Sequence, residues 1–112
     1  MNPSLKKQLF KTFSQMLADL KDKKEIETFL KDFFDETELE KYIKRIAIAY
    51  WIKKGRDTEN IKRNLMATSK EIAGAKDSLK KKGIKLAIKY MEAEEWANVW
   101  SEKIKNFTKA NK

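Results

Sequence analysis

The chain contains neither cysteine nor histidine. Without cysteine there is no disulfide, no thiolate nucleophile and no Cys-based metal site, and without histidine the commonest general base and zinc ligand is gone. Both absences weigh against an enzyme, so no catalytic residue, metal ligand or resident cofactor is expected. A single proline, at position 3, and three glycines leave few turn formers. Long apolar runs are missing too, and none approaches the ~20 residues of a membrane-spanning helix. The opening MNPSLKKQLFKTF lacks the continuous apolar segment and small-residue cleavage site of a secretory signal, which sets a cytoplasmic expectation.

What remains is rich in Lys, Glu, Leu, Ile and Ala, with 41% apolar residues and 38% charged ones, a helix-forming composition. A chain of 112 residues is read as one helical domain, 1–112, large enough to bury roughly 65% of its unfolded surface. The expected class is all-α, with about six helices. The net charge is +9 and the isoelectric point about 9.6, which favours polyanionic partners, because Lys and Arg that neutralise phosphates release condensed counterions.

Leu5, Leu9, Phe13, Met16, Leu17 and Leu20 recur at steps that place them on one helical face over 4–21. Ile26, Phe29, Leu30, Phe33 and Phe34 define a second, short helix that is apolar around nearly half its circumference and must pack on two sides. Asp35 and Glu38 have capping-box spacing and open a third helix, with Leu39, Tyr42, Ile43, Ile46, Ala47, Tyr50 and Trp51 inward and Gly55 as its terminator. Asp57 or Thr58 starts a helix of about two turns around Ile61 and Leu65. After a turn at Met66–Ala67, Thr68 and Glu71 repeat the capping-box spacing, Ile72, Ala75 and Leu79 form the buried stripe, and Gly83 is expected to end the fifth helix. Ile84, Ala87, Ile88, Met91, Trp96, Val99, Trp100, Ile104 and Phe107 then predict one long helix, or two broken near Glu94–Glu95, with the terminal TKANK frayed.

The segment 57–82 has the form of a helix-turn-helix with basic charge on its second helix and exit. Residues 56–83 hold eight Lys or Arg against four acids. In such a unit the first turn of the second helix meets base edges, which assigns Ser69, Lys70 and Glu71 to reading, with Ala73 and Gly74 permitting close approach. Lys70 suits guanine O6/N7 and Glu71 suits cytosine N4. Lys62, Arg63, Lys76, Lys80, Lys81 and Lys82 are placed at phosphates, where they give position and salt dependence. Against this stands a plain surface helical hairpin, in which Glu71 is a cap and the lysines a solvated face. The turn lacks the glycine often found there.

Two other constellations invite functional readings. Trp51, Trp96 and Trp100 have the chemistry of base-stacking platforms, but their helical register favours core or dimer contact. The carboxylates Asp32, Asp35, Glu36, Glu38, Glu92, Glu94 and Glu95 lack a basic catalytic partner and suit i,i+4 pairing on helices.

The order FDETELEKYIKRIAIAYWIKKG (34–55), TENIKRNL (58–65) and ATSKEIAGAKDSLK (67–80) resembles the Trp repressor family over about residues 26–82, most specifically at Asp77-Ser78-Leu79-Lys80. The resemblance implies an intertwined all-helical homodimer that binds a palindromic duplex DNA operator as a transcriptional repressor, with an amino-acid corepressor such as tryptophan between the central and reading helices. It implies effector-binding positions at Arg45, Gly74 and Ser78. Arg45 matches the first of two arginines that flank the ligand in that family, whereas Gly74 stands at the second, followed by Ala75 where the family has glycine. Gly lacks the planar, forked donor set of Arg, so half of the clamp is missing. The loop between Gly55 and Ile61 is one residue shorter than in the Trp repressor itself.

The expectation is therefore a sequence-specific, dimeric DNA-binding regulator. Two rivals share its composition: a helical adaptor whose Phe- and Trp-rich faces bind a partner, and a nucleic-acid-binding protein without sequence preference.

Overall fold

The computed structural model describes residues 1–110, and side chains through residue 98. The expectations for the side chains of Val99, Trp100, Ile104 and Phe107 lie outside the described residues; of the TKANK segment expected to fray, residues 108–110 are helical and the last two lie outside the described residues. Six α-helices and no strand occur among them: α1 (Pro3–Asp19), α2 (Lys23–Phe33), α3 (Glu36–Lys53), α4 (Thr58–Leu65), α5 (Ser69–Ser78) and α6 (Lys82–Ala110). The chain divides into two compact units, Met1–Lys41 and Tyr42–Lys112, with the boundary inside α3.

The first unit holds α1, α2 and the start of α3. Asn2 Oδ1 accepts from the backbone N–H of Ser4 and Leu5, and Pro3 begins α1 where its missing N–H is no loss. Asp22 caps α2 by accepting from the Glu25 N–H at 2.8 Å. Phe13, Phe29, Phe33 and Phe34 form a chain of ring contacts with centroids 5.1 to 6.4 Å apart. No residue of α1 or α2 is buried, and Leu5, Leu9, Phe10, Leu17, Ile26 and Phe33 stay exposed. Within the first unit α2 is covered only in part, with Phe29 and Leu30 half-buried.

α3 opens with the expected capping box: Asp35 Oδ1 accepts from the Glu38 N–H at 2.8 Å, and Glu38 Oε1 accepts from the Asp35 N–H at 3.2 Å. It closes at Gly55, whose φ of +86° suits the residue without a Cβ. The Gly55 N–H donates to the Ile52 carbonyl and the Arg56 N–H to the Trp51 carbonyl, the paired bonds of a Schellman ending.

The core of the second unit comprises Ile48 and Ala49 of α3, Ile61 of α4, Ala67 of the turn, Ile72 and Ala75 of α5 and Ile88 of α6, with Trp51, Ile52, Leu65, Leu79 and Ile84 packed against it. The face of α3 is only partly the one its spacing predicts: Tyr50 is buried and Trp51 packs on the core as expected, but Ile48 and Ala49 are buried too while Tyr42 and Ile43 are exposed. Residues 46–52 read IAIAYWI, apolar on every side, so periodicity alone cannot choose the inward stripe.

α5 ends at Ser78, earlier than expected, and Gly83 lies inside the first turn of α6 instead of ending α5. Gly83 has no left-handed backbone; that conformation is taken by Gly55 and Met66. The chain turns because Leu79 and Ile84 both pack on the same core. The Ser78 hydroxyl, donating to the Ala75 carbonyl at 2.6 Å, and the Lys81 N–H, donating to the Ser78 carbonyl, complete the ending. α6 runs unbroken past Glu94 and Glu95. No helix among the described residues is long and apolar enough to cross a membrane.

Candidate nucleic-acid interface

α4 and α5 follow one another across a short turn within the second unit. Asp57, the first of the two candidate caps, accepts from the Asn60 N–H at 2.7 Å. Ile61, Leu65, Ile72, Ala75 and Leu79 anchor both helices to the core and thereby fix their relative setting. Between them Met66 adopts φ 52° and ψ 43°, so the left-handed turn residue is a methionine where glycine is the common solution. Its side chain is 82% exposed.

The second capping box is formed in full. Thr68 Oγ1 accepts from the Glu71 N–H at 3.1 Å, and Glu71 Oε1 accepts from the Thr68 N–H at 3.0 Å. Lys44 of α3 closes over this junction, with Nζ donating to the Met66 carbonyl at 2.8 Å and lying 3.1 Å from Glu71 Oε1. One ammonium thus holds the carbonyl of the residue that caps α4 and the capping carboxylate of α5. The Thr68 backbone N–H and then the Lys44 ammonium hold the Glu71 carboxyl below its ordinary value of 4.5. Sequence reasoning missed Lys44, because its partners lie more than twenty positions away and a lysine on a helix reads as solvated.

With Ile72 and Ala75 turned inward, α5 presents Ser69, Lys70, Ala73 and Gly74 on its outer face, all exposed. Nothing lies within 4 Å of where a Cβ on Gly74 would sit, so this face is open. Asp77 occupies the same outer face one turn beyond Ala73 and Gly74, leaving the negative charge at the far end and Lys70 at the N-terminal end. Glu71 differs from its neighbours: its carboxylate is engaged by Thr68 and Lys44, which is the capping role and competes with reading a base.

Arg63, Lys76, Lys80, Lys81 and Lys82 are exposed, and Lys62 is half-buried. Arg56 joins them at the start of α4. Its guanidinium carbon sits 3.8 Å from the centroid of the Trp51 ring, and Nη1 donates to Asn60 Oδ1 at 3.3 Å. The stack holds a permanent cation beside the helix-turn-helix and gives Trp51 a structural use as the platform for Arg56. The Arg-on-Trp pairing was legible only once the Gly55 turn brought the two together.

Of the implied effector positions, Gly74 is open, and Ser78 is half-buried with its hydroxyl proton committed to Ala75. Arg45 is exposed and makes no hydrogen bond or ion pair among the described residues. Trp96 is 64% exposed, so it is not a core residue of this chain. No group of three or more acidic side chains able to hold a metal ion occurs among the described residues. No protein-family model, curated protein or solved structure matches the chain.

Proposed function

We propose that the chain is a helix-turn-helix regulator of the Trp-repressor type that binds duplex DNA in a sequence-dependent way as a homodimer. The observation that carries this reading is the outer face of α5. Its first two turns expose Ser69, Lys70, Ala73 and Gly74 without obstruction, while the Lys44 clamp and the shared core hold the helix at a set angle to α4. A reading helix needs that combination, because base-edge hydrogen bonds reward only a rigidly presented surface.

In this reading Lys70 donates to guanine, Ser69 accepts or donates at the neighbouring base, and Ala73 and Gly74 leave room for the groove wall. Arg56, Arg63, Lys76 and Lys80 to Lys82 supply phosphate contacts around it. Regulation by tryptophan belongs to the same proposal in weaker form, since Arg45 has no arginine partner at Gly74.

The deciding experiment incubates the protein with a random duplex pool at near-physiological salt, with and without tryptophan, and sequences what is retained. Enrichment of a palindromic site supports the regulator, and its dependence on tryptophan decides corepressor control. Binding without enrichment that vanishes as salt rises favours the rival without sequence preference. The exposed phenylalanines and leucines of α1 and α2 favour a protein-binding role for the first unit, whichever of these outcomes holds.

A further inference from the structure

α6 carries two apolar faces. Ile88 is buried in the core and Ile84 packs against it, and Ala87 and Met91, at the same helical face, are half-buried. At the next positions of that face the sequence has Glu95 and Asn98, so the core-facing stripe ends. A second stripe begins at Leu86 and Tyr90, 53% and 65% exposed, and continues through the exposed Ala93 and Ala97. In sequence its spacing extends to Trp100, Ile104 and Phe107. The steps alternate four and three throughout, a period of 3.5 residues that keeps one stripe against a partner helix as the two supercoil.

The length of α6 points the same way. A helix of 29 residues spans about 43 Å, and every described side chain from Ala93 to Asn98 is exposed. Single helices without packing are marginal in water below roughly 12–15 residues and rely on a covered apolar face beyond that.

Heptad positions then identify the partner. Leu86 and Ala93 fall at d, Tyr90 and Ala97 at a, Lys89 at g and Glu94 at e. In a parallel, in-register pair, a g residue faces the e residue five positions later on the other chain, which sets Lys89 against Glu94 of the second copy, twice by symmetry. An antiparallel pair opposes g with g and e with e and makes no such match. We propose that the Leu86–Tyr90–Ala93–Ala97 stripe is the seam of a parallel coiled coil between two copies of this chain, with Lys89 and Glu94 paired across it. Alanines at two seam positions let the helix axes approach closely.

The proposal does not depend on DNA binding and is tested on the full chain. Because the protein has no cysteine, Ala93→Cys introduces a single thiol that meets only its own copy. Under mild oxidation at micromolar concentration a covalent dimer is expected, and Tyr90→Glu in the same chain is expected to abolish it. Lys89→Glu and Glu94→Lys are each expected to raise the dimer dissociation constant about fivefold to tenfold in sedimentation, by turning two attractive pairs repulsive. An equimolar mixture of the two variants should recover the unmodified affinity.

A monomeric unmodified chain, a dimer indifferent to Tyr90→Glu, or a mixture that associates no better than its components would each overturn the seam. The exposed charge variants keep the test valid even where Tyr90→Glu disturbs folding. An unmodified chain that selects duplexes but forms no such dimer sinks the seam and leaves the DNA reading standing, whereas a sound seam without duplex selection does the reverse.

Discussion

Met66 shows how much the local backbone asks of one residue. A side chain held at φ 52° is strained relative to glycine, and at 82% exposure this one gains little by burial. Met66→Gly should stabilise the fold by about 0.5–1 kcal/mol in denaturant titrations, and a loss of stability would show that the methionine side chain has packing value. Tyr50 presents the opposite problem, a buried hydroxyl with no hydrogen-bond partner among the described residues. Tyr50→Phe should be neutral or stabilising by up to ~1 kcal/mol, because an unsatisfied buried hydroxyl costs more than it returns. Destabilisation by more than that would mean the hydroxyl is bonded. Glu71 links a residue to pH. Its folded pKa is depressed below 4.5, so its contribution is complete above that value and is lost as pH falls through the lower folded one. Lys44→Met removes the one charge that depresses it, so the fall in melting temperature between pH 7 and acid should shrink in the variant. An unchanged fall would disconnect the clamp from stability.

At the scale of elements, α5 is the instructive case. Gly74 sits mid-helix, exposed, with ordinary helical backbone and open space around it, so Gly74→Ala should raise stability by about 1 kcal/mol through helix propensity. Gly74→Arg places a guanidinium where the resemblance to the Trp repressor family has one. If Arg45 faces the same site, calorimetry should detect tryptophan binding in this variant that the unmodified chain lacks or makes weakly; no gain would detach Arg45 from any such clamp. The start of α5 was legible, because Thr68 and Glu71 are three apart before an apolar stripe. Its end was not. Gly83 looked like a terminator on composition, but the turn was set by Leu79 and Ile84 reaching for one core, a demand invisible to local spacing.

Across the whole molecule, the proposed function gives the exposed basic residues of α4, α5 and their exit separate roles, which predict separable effects. Lys70→Ala should change which duplexes are selected, whereas Lys80→Ala should weaken binding to all sequences about equally and lower the salt slope by roughly 0.9 for each phosphate no longer neutralised. Equal effects of both changes on selected and random DNA would contradict the assignment of roles. The amino-acid sequence by itself determined the helical class, the caps at Asp35 and Thr68 and the left-handed ending at Gly55, since these depend on composition and on neighbours within four residues, and it narrowed the cap of α4 to Asp57 or Thr58, of which the structure uses Asp57. It also carried the 3.5-residue repeat of α6, a periodicity written in the chain. Only the tertiary structure decided which face of α3 is buried, because seven consecutive apolar residues offer every direction equally and packing selects Ile48 and Ala49. It alone joined Lys44 to Met66 and Glu71 and laid Arg56 on Trp51, since a long flexible cation finds its partners through space and leaves no periodic trace in sequence.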